Sequence, residues 1–305
     1  MFPSLGRLSG RTADLATLLG KSRDCSQAAG AAGSQGVTDC RMPAPRPIPF
    51  DRFAPAAARS AIGVMTDIDD TLTTAGAITP DALDALARLR SAGLPVVAVT
   101  GRPMGWSRRF ARDWPVAAIV AENGAVALLP DGSVEYAQDE PTRQHNARRL
   151  ADVAARVLRE VDGARLAHDS PGRVTDIAID HAEHTHLPAA AIERVVEIMV
   201  NAGMNASISS IHINGWFGDH DKRSGARWIV ERLYGRRLDA EIERWLYVGD
   251  STNDQAMFAA FALSVGVANL MDFADRLTVW PVYLTRGSRG AGFAEVANAL
   301  LVARG

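Results

Sequence analysis

Short runs of apolar residues recur along the chain from residue 61 onward, and each run ends at polar residues. The runs are Ile62–Thr66, Leu94–Val99, Ala117–Val120 and Trp245–Val248. Uninterrupted apolar runs of this length are typical of strands that are covered on both faces, as they are in a parallel sheet. The pattern therefore predicts buried, parallel strands in these places.

Helical patterns lie between these runs. The best-defined one begins at Thr79–Asp81, which offers a cap, a proline and an acid for the first turn, and it ends at Gly93. Leu83, Leu86 and Leu89 lie on one face of it. Strands that alternate with helices predict an α/β fold with a doubly wound, mostly parallel, Rossmann-like sheet. In such sheets, ligands bind beyond the carboxyl ends of the strands.

The pattern changes between the third and the fourth apolar run. Amphipathic helical patterns around Leu150–Val161 and Ile192–Met199 are each followed by two strand-like segments. The segments are Arg165–His168, Val174–Asp180, Asn205–Ser209 and His212–Phe217. This order, αββαββ, predicts a small α+β module inserted into the sheet domain. We expect the core to comprise residues 61–140 and 213–305, and the inserted module to comprise residues 141–212.

The first sixty residues differ in composition from the rest. Ala28–Ser34 consists of small residues, and prolines follow at positions 43, 45, 47 and 49. Such a segment buries too little apolar surface to offset the entropy that is lost on ordering it. We therefore predict a disordered tail over residues 1–60, in which Met42 is a candidate for the natural start of translation.

Composition narrows the range of functions. The 305 residues carry 33 Lys and Arg against 35 Asp and Glu, which argues against the basic patch that nucleic-acid binding needs. No apolar run is long enough to cross a bilayer, so a role within a membrane is not expected. Cys25 and Cys40 are too few for a disulfide framework, and this predicts a cytoplasmic location.

Residues suited to phosphate chemistry follow the predicted strands and the module. They are Asp67-Ile68-Asp69-Asp70, Thr100-Gly101-Arg102, Lys222 and Gly249-Asp250. Phosphoryl transfer needs a nucleophile, a proton donor for the leaving oxygen, and positive charge over the transferred group. Closely spaced carboxylates repel each other unless a divalent cation binds them, and oxygen ligands favour Mg²⁺. The pattern therefore predicts magnesium-assisted phosphoryl transfer, with Lys222 and Thr100 holding the phosphoryl group.

Taken together, these segments resemble the signature motifs of the haloacid dehalogenase superfamily, most of whose members are phosphatases. The inserted module is similar to the αββαββ cap of sucrose-phosphate, trehalose-phosphate and mannosyl-3-phosphoglycerate phosphatases and of the Cof-type group. Ala121–Ala125 resembles the segment that precedes the cap there. The resemblance implies a Mg²⁺-dependent phosphoric monoester hydrolase for a small phosphorylated metabolite, with a sugar phosphate favoured.

The resemblance also implies a role for each matching residue. Asp67 would be the nucleophile that forms an aspartyl-phosphate, and Asp69 would be the general acid and later the general base. Thr100 and Lys222 would complete the catalytic set by binding the phosphoryl group. The other candidates are the metal ligands Asp67, Asp69 (through its backbone carbonyl) and Asp250; Asn253 and Asp254, which would orient Lys222 and the water molecules of the metal; and the substrate-binding residues Gly101, Arg102, Asn123, His212 and Asn214.

Some residues keep two interpretations. Asp70 stands where the family often has glycine, which puts the geometry of this turn in question. Arg102 either clamps the substrate or pairs with an acid of the module. His212 and Asn214 alternate on one strand face, which either meets the active site or packs between module and core. Three histidines lack the spacing of zinc motifs and are interpreted as part of a solvated loop. They are His181, His184 and His186.

Two other functions remain open at this stage. A phosphotransferase or mutase would use the same aspartyl-phosphate but pass the phosphoryl group to a hydroxyl instead of water. A phospho-accepting signalling module also uses acids, a threonine and a lysine, but its accepting aspartate stands apart from the acid pair. Such a module also gives no reason for an inserted segment that closes over a substrate, with hinges near residues 128–145 and 212–222.

Overall fold

The computed structural model describes residues 46–305, in which a large sheet carries helices on both faces and a smaller sheet belongs to an inserted module. The predictions for residues 1–45, including the two cysteines and Met42, lie outside the described residues. No helix within residues 46–305 combines the length and the apolar character needed to span a bilayer.

The strands and helices follow the predicted alternation. The strands are β1 (Ile48–Pro49), β2 (Gly63–Thr66), β3 (Thr73–Thr74), β4 (Ala77–Ile78), β5 (Val96–Val99), β6 (Ala118–Ala121), β7 (Val126–Leu128), β8 (Val134–Tyr136), β9 (Arg165–Leu166), β10 (Asp176–Asp180), β11 (Asn205–Ile208), β12 (His212–Trp216), β13 (Trp245–Gly249), β14 (Leu263–Gly266) and β15 (Tyr283–Leu284). The helices are α1 (Pro55–Ser60), α2 (Pro80–Ser91), α3 (Met104–Asp113), α4 (Glu140–Glu160), α5 (Ala189–Asn201), α6 (Lys222–Tyr234), α7 (Leu238–Glu241), α8 (Gln255–Ala260) and α9 (Arg289–Val302).

The large sheet has the strand order β1-β15-β14-β13-β2-β5-β6-β7-β8. All pairs from β1 to β6 are parallel, whereas β6–β7 and β7–β8 are antiparallel. The predicted strands correspond to β2, β5, β6 and β13, and every residue in them is buried. The predicted α/β class with a doubly wound, mostly parallel sheet is confirmed.

Side chains of the central strands alternate between two hydrophobic cores. Val64 of β2 packs in the core that includes α1, α2, α3 and α9, whereas Met65 packs in the core that includes α6 and α8. Leu86 and Leu89 of α2 are buried as predicted, but Leu83 lies at the margin of that face and is exposed. The two cores hold the sheet from both sides, so the carboxyl ends of its strands are fixed relative to one another.

The inserted module has the predicted αββαββ order: α4, β9, β10, α5, β11 and β12. Its antiparallel sheet, in the order β11-β12-β10-β9, encloses a separate core with both helices. The sheet extends beyond the expected boundary at residue 212, because β12 pairs with β10 and β11 up to Trp216. Of the histidines interpreted as a solvated loop, His184 and His186 are exposed, but His181 is buried with its Nε2 3.1 Å from the Ser209 carbonyl oxygen.

Two linkers join the module to the core, one before α4 and one after β12. Gln138 of the first linker donates a hydrogen bond from Nε2 to the Phe217 carbonyl of the second (2.9 Å). Gly218 has φ +117°, and a Cβ at this position would lie only 2.1 Å from Gln138 Nε2. The two linkers therefore run side by side, and glycine allows their close approach.

Residues 46–60 differ from the predicted tail, since they are part of the fold. β1 pairs in parallel with β15, and Phe50 and Phe53 stack with ring centroids 5.1 Å apart. Both rings contact Tyr283 edge to face. The prolines are compatible with this order, because Pro49 lies in the outermost strand of the sheet that residues 46–305 form, and Pro55 lies in the first turn of α1. The apolar residues among the prolines outweigh the turn-prone composition.

Candidate active site

Asp67 lies at the carboxyl end of β2, near the middle of the large sheet. Its backbone N–H donates to the Val248 carbonyl of β13 (2.9 Å), and its side chain is buried. Lys222 begins α6, and its Nζ lies 2.8 Å from Asp67 Oδ1. Asp221 and Ser224 cap the start of α6 reciprocally, which fixes the point where Lys222 leaves the helix.

Asp254 holds the Lys222 ammonium group as well. Its Oδ1 accepts hydrogen bonds from Lys222 Nζ (2.7 Å) and from the Tyr247 hydroxyl (2.5 Å). Its Oδ2 accepts the backbone N–H groups of Asp250 (3.0 Å) and Ser251 (3.1 Å). Because four donors occupy its two oxygens, Asp254 is placed to orient Lys222 and the Asp250 loop rather than to bind substrate.

Carboxylate oxygens of Asp67, Asp250 and Asp254 lie within 4.8 Å of one another. Burial, partly opposed by Lys222, raises the pKa of Asp67 to about 7, and burial together with Asp254 raises the pKa of Asp250 well above its usual range. Negative charge is therefore poorly compensated at this position. The donor set fits a hard divalent cation such as Mg²⁺, which would relieve this repulsion through Asp67 and Asp250.

Asn253 lies between the lysine and this loop. Its Oδ1 is 3.3 Å from Lys222 Nζ and accepts a hydrogen bond from the Ser251 hydroxyl (2.9 Å). Asn253 thus contacts the ammonium group together with Asp67 and Asp254. The role of Asn253 in orienting Lys222 stays a prediction.

The Asp69 carboxylate binds Arg102. Arg102 Nε donates to both Asp69 oxygens (3.0 and 2.9 Å), and Nη2 donates to Oδ1 (2.9 Å). The same guanidinium reaches two acids of the module, Asp169 (3.1 Å) and Glu183 (3.2 Å). The sequence left two roles open for Arg102, clamping the substrate or pairing with an acid of the module. In this structure Arg102 pairs with acids.

Thr100 and Gly101 follow β5 beside Asp67. Thr100 Oγ1 accepts the backbone N–H of Arg102 (3.1 Å), which tightens this turn. The Gly101 carbonyl accepts a hydrogen bond from Asn214 Nδ2 of the module (3.2 Å). A Cβ on Gly101 would lie 3.3 Å from Asn123 Oδ1, so a larger residue would crowd Asn123. These candidates therefore lie where core and module meet.

Asp70, which stands in the place of the commoner glycine, has φ +53°, a left-handed conformation. Glycine adopts it without strain, whereas aspartate needs support. Arg289 Nε donates to Asp70 Oδ1 (2.9 Å), and Asn269 Nδ2 donates to the Asp70 carbonyl (3.0 Å). Asn269 Nδ2 also lies 3.3 Å from Asp250 Oδ2. These contacts support the left-handed conformation of Asp70, and Asn269 connects the turn to the acidic cluster.

Glu122 was not singled out from the sequence, although it stands in the Ala121–Ala125 segment. Its buried carboxylate accepts the backbone N–H groups of Met104 (2.9 Å), Val174 (3.1 Å) and Thr175 (2.6 Å), and the Thr175 hydroxyl (2.5 Å). Burial and the nearby Asp176 raise its pKa to about 7. A carboxylate of the core thus binds the backbone of the module.

Arg173 is a second residue that sequence reasoning missed, and no motif marks it. Its guanidinium is almost fully buried and donates to the Gly101 carbonyl (2.9 Å) and to Asp176 (2.8 Å). Asp176 also accepts hydrogen bonds from Asn123 (3.4 Å) and Asn214 (3.2 Å). Asn123 and Asn214, expected to bind substrate, are engaged here in contacts between module and core.

A small cavity lies between Asp67 and the module. Its lining residues are Asp67, Asp69, Thr100, Gly101, Arg102, Ser209, Ser210, His212, Asn214 and Asn253. Its volume is only about 10 Å³, which is room for about one water molecule. Most of the expected catalytic and substrate-binding residues thus converge, but the docked module leaves no space for a substrate.

Comparisons with known proteins show which proteins the chain resembles. A family model described as haloacid dehalogenase-like hydrolase matches residues 64–157. The chain is 29% identical to a phosphoglycolate phosphatase of Pyrobaculum neutrophilum over 249 residues, which cover 78% of this chain and 95% of that protein. It is 27% identical to a phosphoglycolate phosphatase of Methanothrix thermoacetophila, over 77% of this chain and 95% of that protein.

Solved structures share the fold. Protein 0175 of Thermoplasma acidophilum aligns with a TM-score of 0.62 at 16% identity, over 79% of this chain and 98% of that one. The sucrose-phosphatase of Synechocystis, in complex with sucrose and phosphate, aligns with a TM-score of 0.58 at 16% identity, over 78% of this chain and 97% of that one. Both alignments span the core and the inserted module, since they cover more of the chain than the core alone.

Proposed function

Because the chain belongs to the haloacid dehalogenase superfamily and is a phosphoric monoester hydrolase, we propose that it is a Mg²⁺-dependent phosphatase for a small phosphorylated metabolite and acts through an aspartyl-phosphate on Asp67. The observation that carries the proposal is the contact of Lys222 Nζ with Asp67 Oδ1 at 2.8 Å, with Asp250 beside it. A carboxylate nucleophile, a fixed cation and a metal-binding acid thus share one buried position.

In the proposed first step, an Asp67 oxygen attacks phosphorus and the ester P–O bond breaks. Lys222 and the Thr100 hydroxyl hold the transferred group through its equatorial oxygens. Mg²⁺, when bound by Asp67, Asp250 and the Asp69 carbonyl, supplies the charge that offsets repulsion between the carboxylate and the phosphate dianion. Asp69 protonates the leaving oxygen and then removes a proton from the water that hydrolyses the acyl phosphate.

This mechanism requires Asp69 to change partners. Three N–H···O contacts from Arg102 occupy the Asp69 carboxylate while the module is docked. Proton transfer needs hydrogen-bond contact with the leaving oxygen. Asp69 must therefore exchange Arg102 for the substrate during turnover.

We further propose a sugar phosphate as the substrate. Support comes from the αββαββ module, whose order resembles the cap of sugar-phosphate phosphatases, and from the hydroxyl and amide groups of Ser209, Ser210 and Asn214 that line the cavity. The names of the relatives make 2-phosphoglycolate the second candidate.

The test is phosphate release from sugar phosphates, nucleotides, 2-phosphoglycolate and 4-nitrophenyl phosphate, with Mg²⁺ and with a chelator. We expect release that needs Mg²⁺ and that Asp67→Asn abolishes. Asp84→Asn, at an exposed acid of α2, is the matched control and should retain full activity. Release without an added acceptor would distinguish hydrolysis from phosphoryl transfer to a second hydroxyl. Activity that survives Asp67→Asn would refute the mechanism.

A further inference from the structure

A chain of charged contacts runs from the module to the expected general acid. His212 Nε2 lies 2.8 Å from Glu183 Oε2, and Glu183 Oε1 accepts a hydrogen bond from Arg102 Nη2 (3.2 Å). Arg102 in turn binds Asp69. His212, Arg102 and Asp69 line the cavity, and Glu183 joins the first two. Glu183 therefore contacts two residues of the cavity lining, Arg102 and His212, that a leaving group would face.

The backbone around Glu183 is fixed by the end of β10. Asp180 is buried, and its Oδ1 accepts the N–H groups of Ala182 (3.1 Å) and Glu183 (2.9 Å), while its Oδ2 accepts that of His184 (2.9 Å). A carboxylate that binds successive N–H groups holds a tight turn in one conformation. Glu183 is thus tied at its backbone by Asp180 and at its side chain by His212 and Arg102.

Negative charge around Arg102 exceeds positive charge. Asp69, Asp169 and Glu183 all bind this single guanidinium. The hydrogen bond from His212 lowers the pKa of Glu183 to about 2, so its carboxylate is charged at neutral pH. Arg173, the next cation of the module, is already bound to Asp169 and Asp176. When Asp69 exchanges Arg102 for the substrate, Asp169 and Glu183 still bind the guanidinium, so a carboxylate in the leaving group would meet two acids at this cation.

Uncharged groups of the module also line the cavity. Ser209, Ser210 and Asn214 line the cavity together with His212. Hydroxyl and amide groups suit a leaving group with hydroxyls, whereas a fixed carboxylate next to the binding position disfavours an acidic one.

We propose that Glu183 is a specificity-determining residue that makes the enzyme select phosphate esters with an uncharged, hydroxylated leaving group and reject esters whose leaving group carries a carboxylate. The inference rests on the proposed phosphatase function and adds the class of leaving group, and it favours a sugar phosphate over 2-phosphoglycolate, whose leaving group carries a carboxylate. Glu183 acts by its charge and by holding Arg102 and His212 in place, so that Arg102, the guanidinium in the described lining of the cavity, stays paired with acids when a carboxylate approaches.

The test compares glycerol 3-phosphate with 3-phosphoglycerate, which differ by a hydroxymethyl group in place of a carboxylate. For each we would measure kcat/KM and the inhibition constant against 4-nitrophenyl phosphate hydrolysis, so that a ratio exists even when turnover is slow. Wild type should favour glycerol 3-phosphate by roughly tenfold or more, and Glu183→Gln should reduce this ratio by roughly tenfold. Glu197→Gln, at an exposed acid of α5, should leave the ratio unchanged.

Glu183→Asp keeps the negative charge and should therefore keep the preference for glycerol 3-phosphate. Comparison with Glu183→Gln then separates the effect of the charge from a merely structural role. A wild-type ratio near one, or a ratio that Glu183→Gln does not change, would overturn the inference. If both variants unfold in thermal melts, the wild-type ratio decides. Failure of wild type to hydrolyse even 4-nitrophenyl phosphate would instead refute the proposed function, so the two failures are distinguishable.

Discussion

At the scale of single residues, the site depends on a few buried charges that compensate one another. Lys222 is almost completely buried and touches two carboxylates, Asp67 and Asp254. Removal of one partner of a buried ion pair leaves the other charge without compensation, which typically costs about 3–5 kcal/mol. The same residues therefore govern stability and proposed chemistry, and conservative substitutions are needed to separate the two.

Asp69→Asn should slow both chemical steps, by about 10²–10⁴ for an alkyl phosphate, because the leaving oxygen then receives no proton. A nitrophenolate leaving group needs no proton, so the first step with 4-nitrophenyl phosphate should remain fast while hydrolysis of the aspartyl-phosphate becomes slow. Stopped-flow absorbance should then show a burst of nitrophenolate. Equal slowing of both substrates without a burst would contradict the assignment of Asp69.

Mg²⁺ binding should release protons and strengthen with pH. The pKa of Asp67 is raised to about 7 by burial, so below this pH the metal-free carboxyl holds a proton that the ion must displace. The apparent affinity should fall as pH drops from 8 to 6, by up to about tenfold per pH unit for each proton released. Calorimetric titration in two buffers of different ionisation enthalpy measures this directly. Binding heats that do not depend on the buffer, together with an affinity for Mg²⁺ that does not change with pH, would contradict the predicted proton release.

At the scale of secondary-structure elements, contact between α3 and the turn Ser170–Gly172 limits how closely the module docks. A Cβ on Gly105 would lie 2.8 Å from Gly172 Cα, closer than side chains approach backbone. Both positions need the absence of a side chain because the backbones of core and module touch there. The start of α3 is also the segment whose Met104 N–H binds Glu122.

Gly105→Ala should therefore weaken docking while leaving the core stable. Alanine favours a helix over glycine by about 1 kcal/mol, so thermal stability should stay equal or rise. We expect kcat/KM to fall roughly tenfold or more, because misplacement of catalytic groups by about 1 Å can cost up to about 10² in rate. Arg108→Ala, at an exposed position of the same helix, is the control. Unchanged kinetics in Gly105→Ala would show that this contact is dispensable.

The sequence predicts those parts of the fold that short-range patterns determine. The apolar runs at β2, β5, β6 and β13 mark buried strands, and the acids after them must lie at one end of the sheet. Contacts between distant segments leave no such pattern. Glu183 contacts Arg102, which lies 81 residues earlier in the chain, and Arg173 contacts Gly101, which lies 72 residues earlier. No local sequence pattern at Glu183 or Arg173 predicts these partners. The expected site residues could thus be named, but not their partners.

At the scale of the whole molecule, the docked module must move before a substrate can enter. A cavity of about 10 Å³ is far below the roughly 300–1,000 Å³ of ordinary ligand pockets. The two linkers, which the hydrogen bond between Gln138 and Phe217 joins, are the natural hinge. Along the described chain, they alone connect the inserted module to the large-sheet domain. Buried polar contacts at Glu122 and Arg173 favour the docked form.

Small-angle scattering should detect this movement. With Mg²⁺ and orthovanadate we expect a larger radius of gyration than with Mg²⁺ alone, because the cavity of the docked form is too small for the anion, which therefore favours the undocked form. Asp67→Asn, which lacks the proposed nucleophile, should expand less. Identical scattering curves with and without orthovanadate would argue against module movement as the route of entry.

The short strand β1 has a consequence for the protein in concentrated solution. Ile48 and Pro49 cover β15, whose unpaired N–H and C=O groups would otherwise be open to strands of other molecules. Pro49 lacks an N–H group, so the side of β1 that has no partner strand among the described residues is itself a poor template for further pairing. A shortened chain that began at residue 61 would bare this border together with Tyr283, and we expect it to self-associate even where its catalytic residues remain intact.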